Sequence, residues 1–235
     1  MLRYSDTVVT VSDAEMRAIR GRYRFLADGQ RLTYLQNGGV PDAVMSAASA
    51  EPARDGAARG FGLYVGSLTR RKNAKGILHA AVAFLQRYPH MRFVVIGATG
   101  TSFEGIGLEL PREVADRFEF RGQVNDAASI YQAYRGARFL LFPSFYEASP
   151  LPPIEAMTFG CPVVSSRIPS MIERCGDAAV YCDANDQASI AAGIDCLMSD
   201  EECWRRHSDR SRVQAAGFTW GEQTRGLVDL CEAVQ

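Results

Sequence analysis

Glu147 and Glu155 stand eight positions apart in the stretch YEASPLPPIEA, residues 146–156, with Pro150, Pro152 and Pro153 between them. An ionised carboxylate is purely an acceptor of hydrogen bonds, so two held carboxylates suit a ligand rich in hydroxyl groups. Pro152 and Pro153 fit the start of a helix, where a missing N–H costs nothing. That places Glu155 in the first turn of the helix and Glu147 on the loop ahead of it. Each has a plainer reading when taken singly. Glu155 could serve only to complement a helix dipole, and Glu147 could be a solvated loop residue.

A second cluster is basic. In VGSLTRRKNAKG a strand ends at Gly66, a helix begins near Asn73, and Arg70, Arg71 and Lys72 crowd the turn. Cations at a helix N-terminus oppose the dipole by roughly 0.3–1 kcal/mol each. A bound anion would resolve that conflict, since cations and free N–H groups would then share one partner. The alternative is a basic turn splayed into solvent. The glycines follow neither the Walker pattern nor G-x-G-x-x-G.

The totals narrow the partners. With 235 residues and a formal net charge of −1, the chain has no general attraction for nucleic acid or an anionic membrane. An anion site must therefore be local. No apolar run approaches the roughly 20 residues that span a bilayer, and the first residues lack the apolar core of a signal peptide. Six cysteines (161, 175, 182, 196, 203 and 231) form no C-x-x-C pair and fall in segments expected to be buried. That pattern fits free thiols in a reducing cytoplasm. The three histidines are scattered, which argues against a zinc site.

The elements that must position these residues alternate from about residue 60. FGLYVGS, RFVVIG, RFEFRG, RFLLFP and PVVSS read as strands, each closed by Gly, Pro or Ser. NAKGILHAAVAFLQRY and DAASIYQAYRGA carry helical spacing, the latter with Asp126 as N-cap. Three further helices are expected over 186–198, 200–216 and 220–234. Near-continuous apolar strands alternating with helices predict an α/β fold, a parallel sheet covered by helices on both faces. In such a sheet the loop after RFLLFP, holding Ser144 to Ser149, lies at the ligand edge. Ahead of it, DTVVTVSDAEMRAI reads as a strand and an N-capped helix, and RLTYLQNGGVPD as a strand with a Gly turn. The small, polar stretch 46–59 reads as a linker.

The combination resembles the donor-binding half of retaining glycosyltransferases of the GT-B fold, family 4. The carrying motifs are VGSLTRRKN, FPSFYEASPLPPIEAMTFGCPVV, IPSMIERCGDAAVYCD and FTWGEQT, in order over about 60–235. The resemblance implies a Rossmann-like donor domain over 60–217 and a C-terminal helix over 218–235. Residues 1–45 then resemble the last β-α unit of an acceptor domain plus a strand, whose remainder would take roughly 150 residues more.

Residue by residue, the resemblance implies that Lys72 contacts the donor diphosphate. Ser67 stands where the family often has Arg, so Arg71 or Arg70 supplies the second cation. Glu147 lies near the sugar, Glu155 binds the ribose hydroxyls, and Val124 of GQV flanks the base. Donor contacts are thus carried onto Gly66, Ser67, Arg71, Lys72, Val124, Glu147, Ser149, Leu151 and Glu155, with Glu147 and Lys72 catalytic. The implied substrate is a UDP- or GDP-sugar such as GDP-mannose, and no cofactor or metal is required. The implied product belongs to polysaccharide or glycolipid assembly, in the cytoplasm or at the inner face of the membrane with peripheral contact.

The family's Gly-Phe-Gly becomes Ala148-Ser149-Pro150 here. Pro150 removes an N–H and forbids positive φ, while Ser149 offers a hydroxyl in exchange. A competing reading is a non-catalytic nucleotide-sugar-binding partner that docks on a separately encoded acceptor half. A GT-B epimerase is a third, against which the histidine-poor carboxyl half speaks.

Overall fold

The computed structural model describes residues 5–23, 31–50, 55–98 and 110–233. Parts of the expected segments 1–45, 46–59, 60–217 and 218–235 therefore lie outside the described residues. The main body is a six-stranded sheet of β3 (Phe61–Val65), β4 (Arg92–Ile96), β5 (Phe118–Phe120), β6 (Ala137–Phe142), β7 (Val163–Ser166) and β8 (Val180–Cys182). All its neighbours are parallel, in the order β5-β4-β3-β6-β7-β8. Strand β3 starts the sheet, and the chain winds outward from it in one direction and then, from β6, in the other. This is the expected α/β architecture, and its switch point lies between β3 and β6.

Every residue of β3, β6 and β7 is buried, because helices cover both faces. α3 (Ala74–Arg87) packs with α4 (Arg112–Ala115) and α8 (Gln187–Ser199). α6 (Leu151–Thr158) packs with α5 (Ala127–Gly136), α7 (Pro169–Cys175) and α9 (Glu201–Ala215). Phe84 on α3 meets Phe139 edge-on at 5.1 Å and Phe93 at 6.2 Å, tying the helix to β6 and β4. Each such fully buried ring contributes roughly 1.5–3 kcal/mol through its removal from water.

A smaller unit precedes this body. β1 (Thr7–Thr10) and β2 (Arg31–Tyr34) pair in parallel around α1 (Asp13–Arg22), and α1 rests on α7. The stretch expected as a linker over 46–59 is corrected in part. α2 (Asp42–Ala50) runs through its beginning and buries Met45 and Ala48, because small Ala and Ser side chains make a compact helix that lies close to the body. A 3-10 turn at Gly56–Ala58 follows and buries Gly56. β8 and α7 were not expected as elements. α10 (Trp220–Glu232), capped by Thr219, ends the described chain.

Cys161, Cys175, Cys182 and Cys203 are buried as expected, whereas Cys196 is half-buried and Cys231 is exposed. Among the described residues no helix is long and apolar enough to cross a membrane.

Candidate functional site

The loops after β3 and β6 meet at the switch point, outside the carboxyl ends of the strands. Gly66 closes β3 with φ 144°, a conformation open to glycine. The next strand ends the same way at Gly97, where an added Cβ would come within 2.0 Å of the Gly66 carbonyl oxygen. Two glycines thus let adjacent strand ends pass in contact. The Ser67 carbonyl is fixed by the Tyr64 hydroxyl at 2.9 Å.

Asn73 then starts α3 from the left-handed region, φ 62°, and its carboxamide oxygen accepts from Gly76 N–H at 3.2 Å. Its Nδ2 donates to Pro143 O at 3.2 Å and Ala184 O at 2.8 Å. One cap therefore staples the loops after β3, β6 and β8. Gly76 leaves the room, since a Cβ there would lie 2.4 Å from the Asn73 amide.

Of the three cations in the turn, two converge. Lys72 Nζ lies 3.2 Å from Glu147 Oε1, with only 14% of its side chain exposed, and sits 5.2 Å from the centre of the Phe142 ring. Arg71 Nη1 lies 3.0 Å from Glu147 Oε2 and donates to the Tyr146 carbonyl at 2.7 Å. Arg70 is exposed. Glu147 itself is buried, 8% exposed in its side chain, and also accepts from Ser144 Oγ at 3.0 Å. The Ser144 carbonyl is in turn held by Ser166 Oγ. The loop after β6 is pinned again where Phe145 N–H donates to Arg71 O at 3.0 Å. Glu147 is therefore no solvated loop residue. Two positive charges and a buried acceptor carboxylate sit together, an arrangement that can exchange the carboxylate for a bound anion.

Glu155 corrects one expectation. α6 begins at Leu151 with Pro150 as its N-cap residue, so Glu155 lies in the second turn rather than the first. Leu151, Pro152 and Pro153 fill the first turn, where the helix has no N–H partners to lose. Glu155 is thus too deep to act as a simple dipole partner. It accepts from the Tyr134 hydroxyl at 2.8 Å, and burial pushes its pKa up against the pull of Tyr134 and Arg174. Burial and the nearby Glu155 charge drive the Tyr134 phenol well above its ordinary value, so it stays a neutral donor.

Ser149 is already engaged, its hydroxyl accepting from Asn37 Nδ2 at 3.3 Å. Pro150 adopts φ −68°, so the departure from glycine is accommodated without strain. Val124 is half-buried against the core on the loop after β5, two strands or about 10 Å from β3, outside the ion-pair cluster.

Asn73, Ser144 and Tyr134 join the site without having been singled out for it. Only Asn73 had a local signal, its cap position after the basic run. Among the described residues no group of three or more His, Cys, Asp or Glu gathers as metal ligands.

Residues 57–215 match the family model described as Glycosyl transferases group 1. An O-antigen chain mannosyltransferase B of Escherichia coli is 35% identical over 166 residues, which cover 69% of this chain and 43% of that protein. A D-inositol 3-phosphate glycosyltransferase of Corynebacterium urealyticum is 27% identical over 247 residues, covering 96% of this chain and 56% of the relative. The chain thus spans about half the length of these curated relatives. Among solved structures, a sucrose-phosphate synthase from Thermosynechococcus elongatus superimposes with a TM-score of 0.77 at 22% identity, over 99% of this chain and 59% of that one.

Proposed function

The chain belongs to the group 1 glycosyl transferases, and from that premise we propose that it is the donor-binding half of a retaining hexosyltransferase. Its donor is a nucleoside-diphosphate sugar with a UDP or GDP carrier, and its acceptor a polysaccharide or glycolipid. The similarity to a mannosyltransferase favours mannose, and hence GDP-mannose, as the donor. The observation that carries the reading is the convergence of Lys72 and Arg71 on Glu147 at the switch point of the sheet.

The donor diphosphate takes the place of the Glu147 carboxylate against Lys72 and Arg71. The displaced carboxylate then accepts hydrogen bonds from the sugar hydroxyls. Glu155 accepts from the ribose hydroxyls, oriented for this by Tyr134. As the bond from the anomeric carbon to the diphosphate oxygen breaks, charge grows on the leaving group beside the two cations. Each charge-assisted hydrogen bond there is worth roughly 1.5–3 kcal/mol. The acceptor oxygen bonds to the anomeric carbon on the face the diphosphate leaves, and its proton passes to the departing phosphate. Protein cations do the work of charge neutralisation, with no metal in the scheme.

Since the chain spans about half the length of its relatives, transfer requires an acceptor half. We assign that half to a partner or to further sequence of the same protein. Nucleotide binding needs neither.

Calorimetric titration with UDP and GDP tests the reading. One of the two is expected to bind, and Lys72→Ala is expected to weaken it at least tenfold. Failure of both nucleotides to bind at millimolar concentration would defeat the assignment.

A further inference from the structure

The ion pairs of the candidate site leave unexplained a second charged cluster, which joins the small β1–α1–β2 unit to the body. Glu173 on α7 turns its carboxylate onto the N-terminus of α1. Oε1 accepts from Asp13 N–H at 2.9 Å and Oε2 from Ala14 N–H at 3.0 Å. The same carboxylate accepts from Gln36 Nε2, on the segment that leads from β2 to α2. Ser12, the N-cap of α1, takes Glu15 N–H on its hydroxyl at 3.1 Å and Met16 N–H on its carbonyl at 3.0 Å. The remaining N-terminal amides are thus capped by a residue some 160 positions away, on another element. A carboxylate at this end of a helix is also favoured by the dipole.

The neighbouring residue grips the same segment with the opposite charge. Arg174 is fully buried, and its Nη1 donates to the Asn37 carbonyl at 2.6 Å. Its guanidinium lies 4.5 Å from the centre of the Phe218 ring. Asn37 is held further by Gln223, whose Nε2 donates to Asn37 Oδ1 at 2.7 Å, and it passes the contact on to Ser149 Oγ. On the other side, α1 places Glu15 Oε2 2.6 Å from the Tyr146 hydroxyl, one residue before Glu147. Both routes end on the loop after β6.

We propose that Glu173 and Arg174 form a clasp that fixes the β1–α1–β2 unit and residues 36–37 against the body, and so positions Glu15 and Ser149 at the rim of the candidate site. That they flank a donor site rests on the function proposed above; the clasp itself rests on the contacts. Its role is to set the acceptor-side unit relative to the loop carrying Glu147, as a positioning device that touches no substrate.

The test separates clasp from site. In the full chain, Glu173→Ala is expected to speed hydrogen exchange of the Asp13 and Ala14 amides at least tenfold, with β3 and β6 amides unchanged. Glu173→Gln keeps one carbonyl acceptor and is expected to show a smaller increase. Affinity for UDP or GDP by calorimetry should stay within twofold of wild type, since Lys72, Arg71 and Glu155 lie wholly in the body and Arg174 and Gln223 still hold Asn37 against Ser149 in this variant. Unchanged exchange at residues 13 and 14 in the alanine variant would overturn the proposal. An equal rise across β3 and β6 would overturn it too, as the mark of global destabilisation. Should the wild type bind neither nucleotide, the donor assignment fails while the exchange result still decides the clasp.

Discussion

Glu155 is held in its ionised form at a cost in free energy. Burial raises its pKa, and neither the Tyr134 hydroxyl nor the Arg174 charge reverses that. The folded chain then holds the Glu155 proton more tightly than the unfolded chain does. Stability from this group therefore falls as pH rises from the ordinary glutamate value of 4.5 through the higher folded value, and the full penalty applies above it. Glu155→Gln removes the penalty while its carbonyl still accepts from Tyr134. The variant is expected to melt above wild type at pH 7, with the gap closing as pH falls through that window. In exchange it loses a charged acceptor for the nucleotide, worth roughly 1.5–3 kcal/mol, or about tenfold or more in affinity. Calorimetric melts over pH, paired with titration, check both halves. A variant with no gain in melting temperature at pH 7 would contradict the argument.

At the scale of elements, the two edges of the sheet are treated oppositely. At the edge away from the site, buried arginines close helix C-termini, the favourable end for a cation. Arg59 donates to Tyr134 O, Ala137 O and Phe159 O at the ends of α5 and α6, and Arg138 donates twice to Leu197 O in α8. At the site edge, Asn73 does the stapling from a left-handed conformation. Asn73→Ala should lose both the cap and the tolerated φ, while Asn73→Gly loses the side-chain bonds alone. Urea denaturation is expected to place both below wild type, with alanine lower than glycine by about 1 kcal/mol. Equal stabilities would show that the left-handed residue is not what the loop requires.

The same contrast explains what the sequence made legible. β3, β4 and β6 stand out as apolar runs closed by Gly or Pro, and in a parallel sheet that pattern puts the loop after β6, Ser144 to Ser149, at the ligand edge. β8 has three residues and α7 seven, too short for periodicity to register. α2 was hidden by its small residues, whose burial comes from close approach rather than from apolar pattern. The pairing of Lys72 with Glu147, across 75 positions, follows from the meeting of two loops. The Tyr134 bond to Glu155 and the Glu173 cap on α1 likewise depend on which helices become neighbours. No local signal encodes such contacts.

At the scale of the whole molecule, the described residues form two unequal bodies. The larger has the six-stranded sheet, whose central strands β3, β6 and β7 are fully buried, and it holds the candidate site. The β1–β2 pair has two strands, neither with a further partner among the described residues, and Val9 and Tyr34 on it are exposed. A two-stranded sheet is barely stable by itself. It is held here through α1 and the clasp. Native-state hydrogen exchange is therefore expected to find the amides of Val8–Thr10 and Leu32–Tyr34 opening well before those of Leu63, Val94, Leu140 and Val164. A nucleotide bound within the body should widen that difference. At a hundredfold excess over its Kd it contributes about 2.7 kcal/mol, a rise of about 5–10 °C in the melting temperature of the body. Exchange in β1 and β2 should stay where it was, because the proposed nucleotide contacts, Lys72, Arg71 and Glu155, all lie in the body. If protection in β1 and β2 rises with the body, the bound nucleotide reaches across the clasp, and the two units respond to it as one.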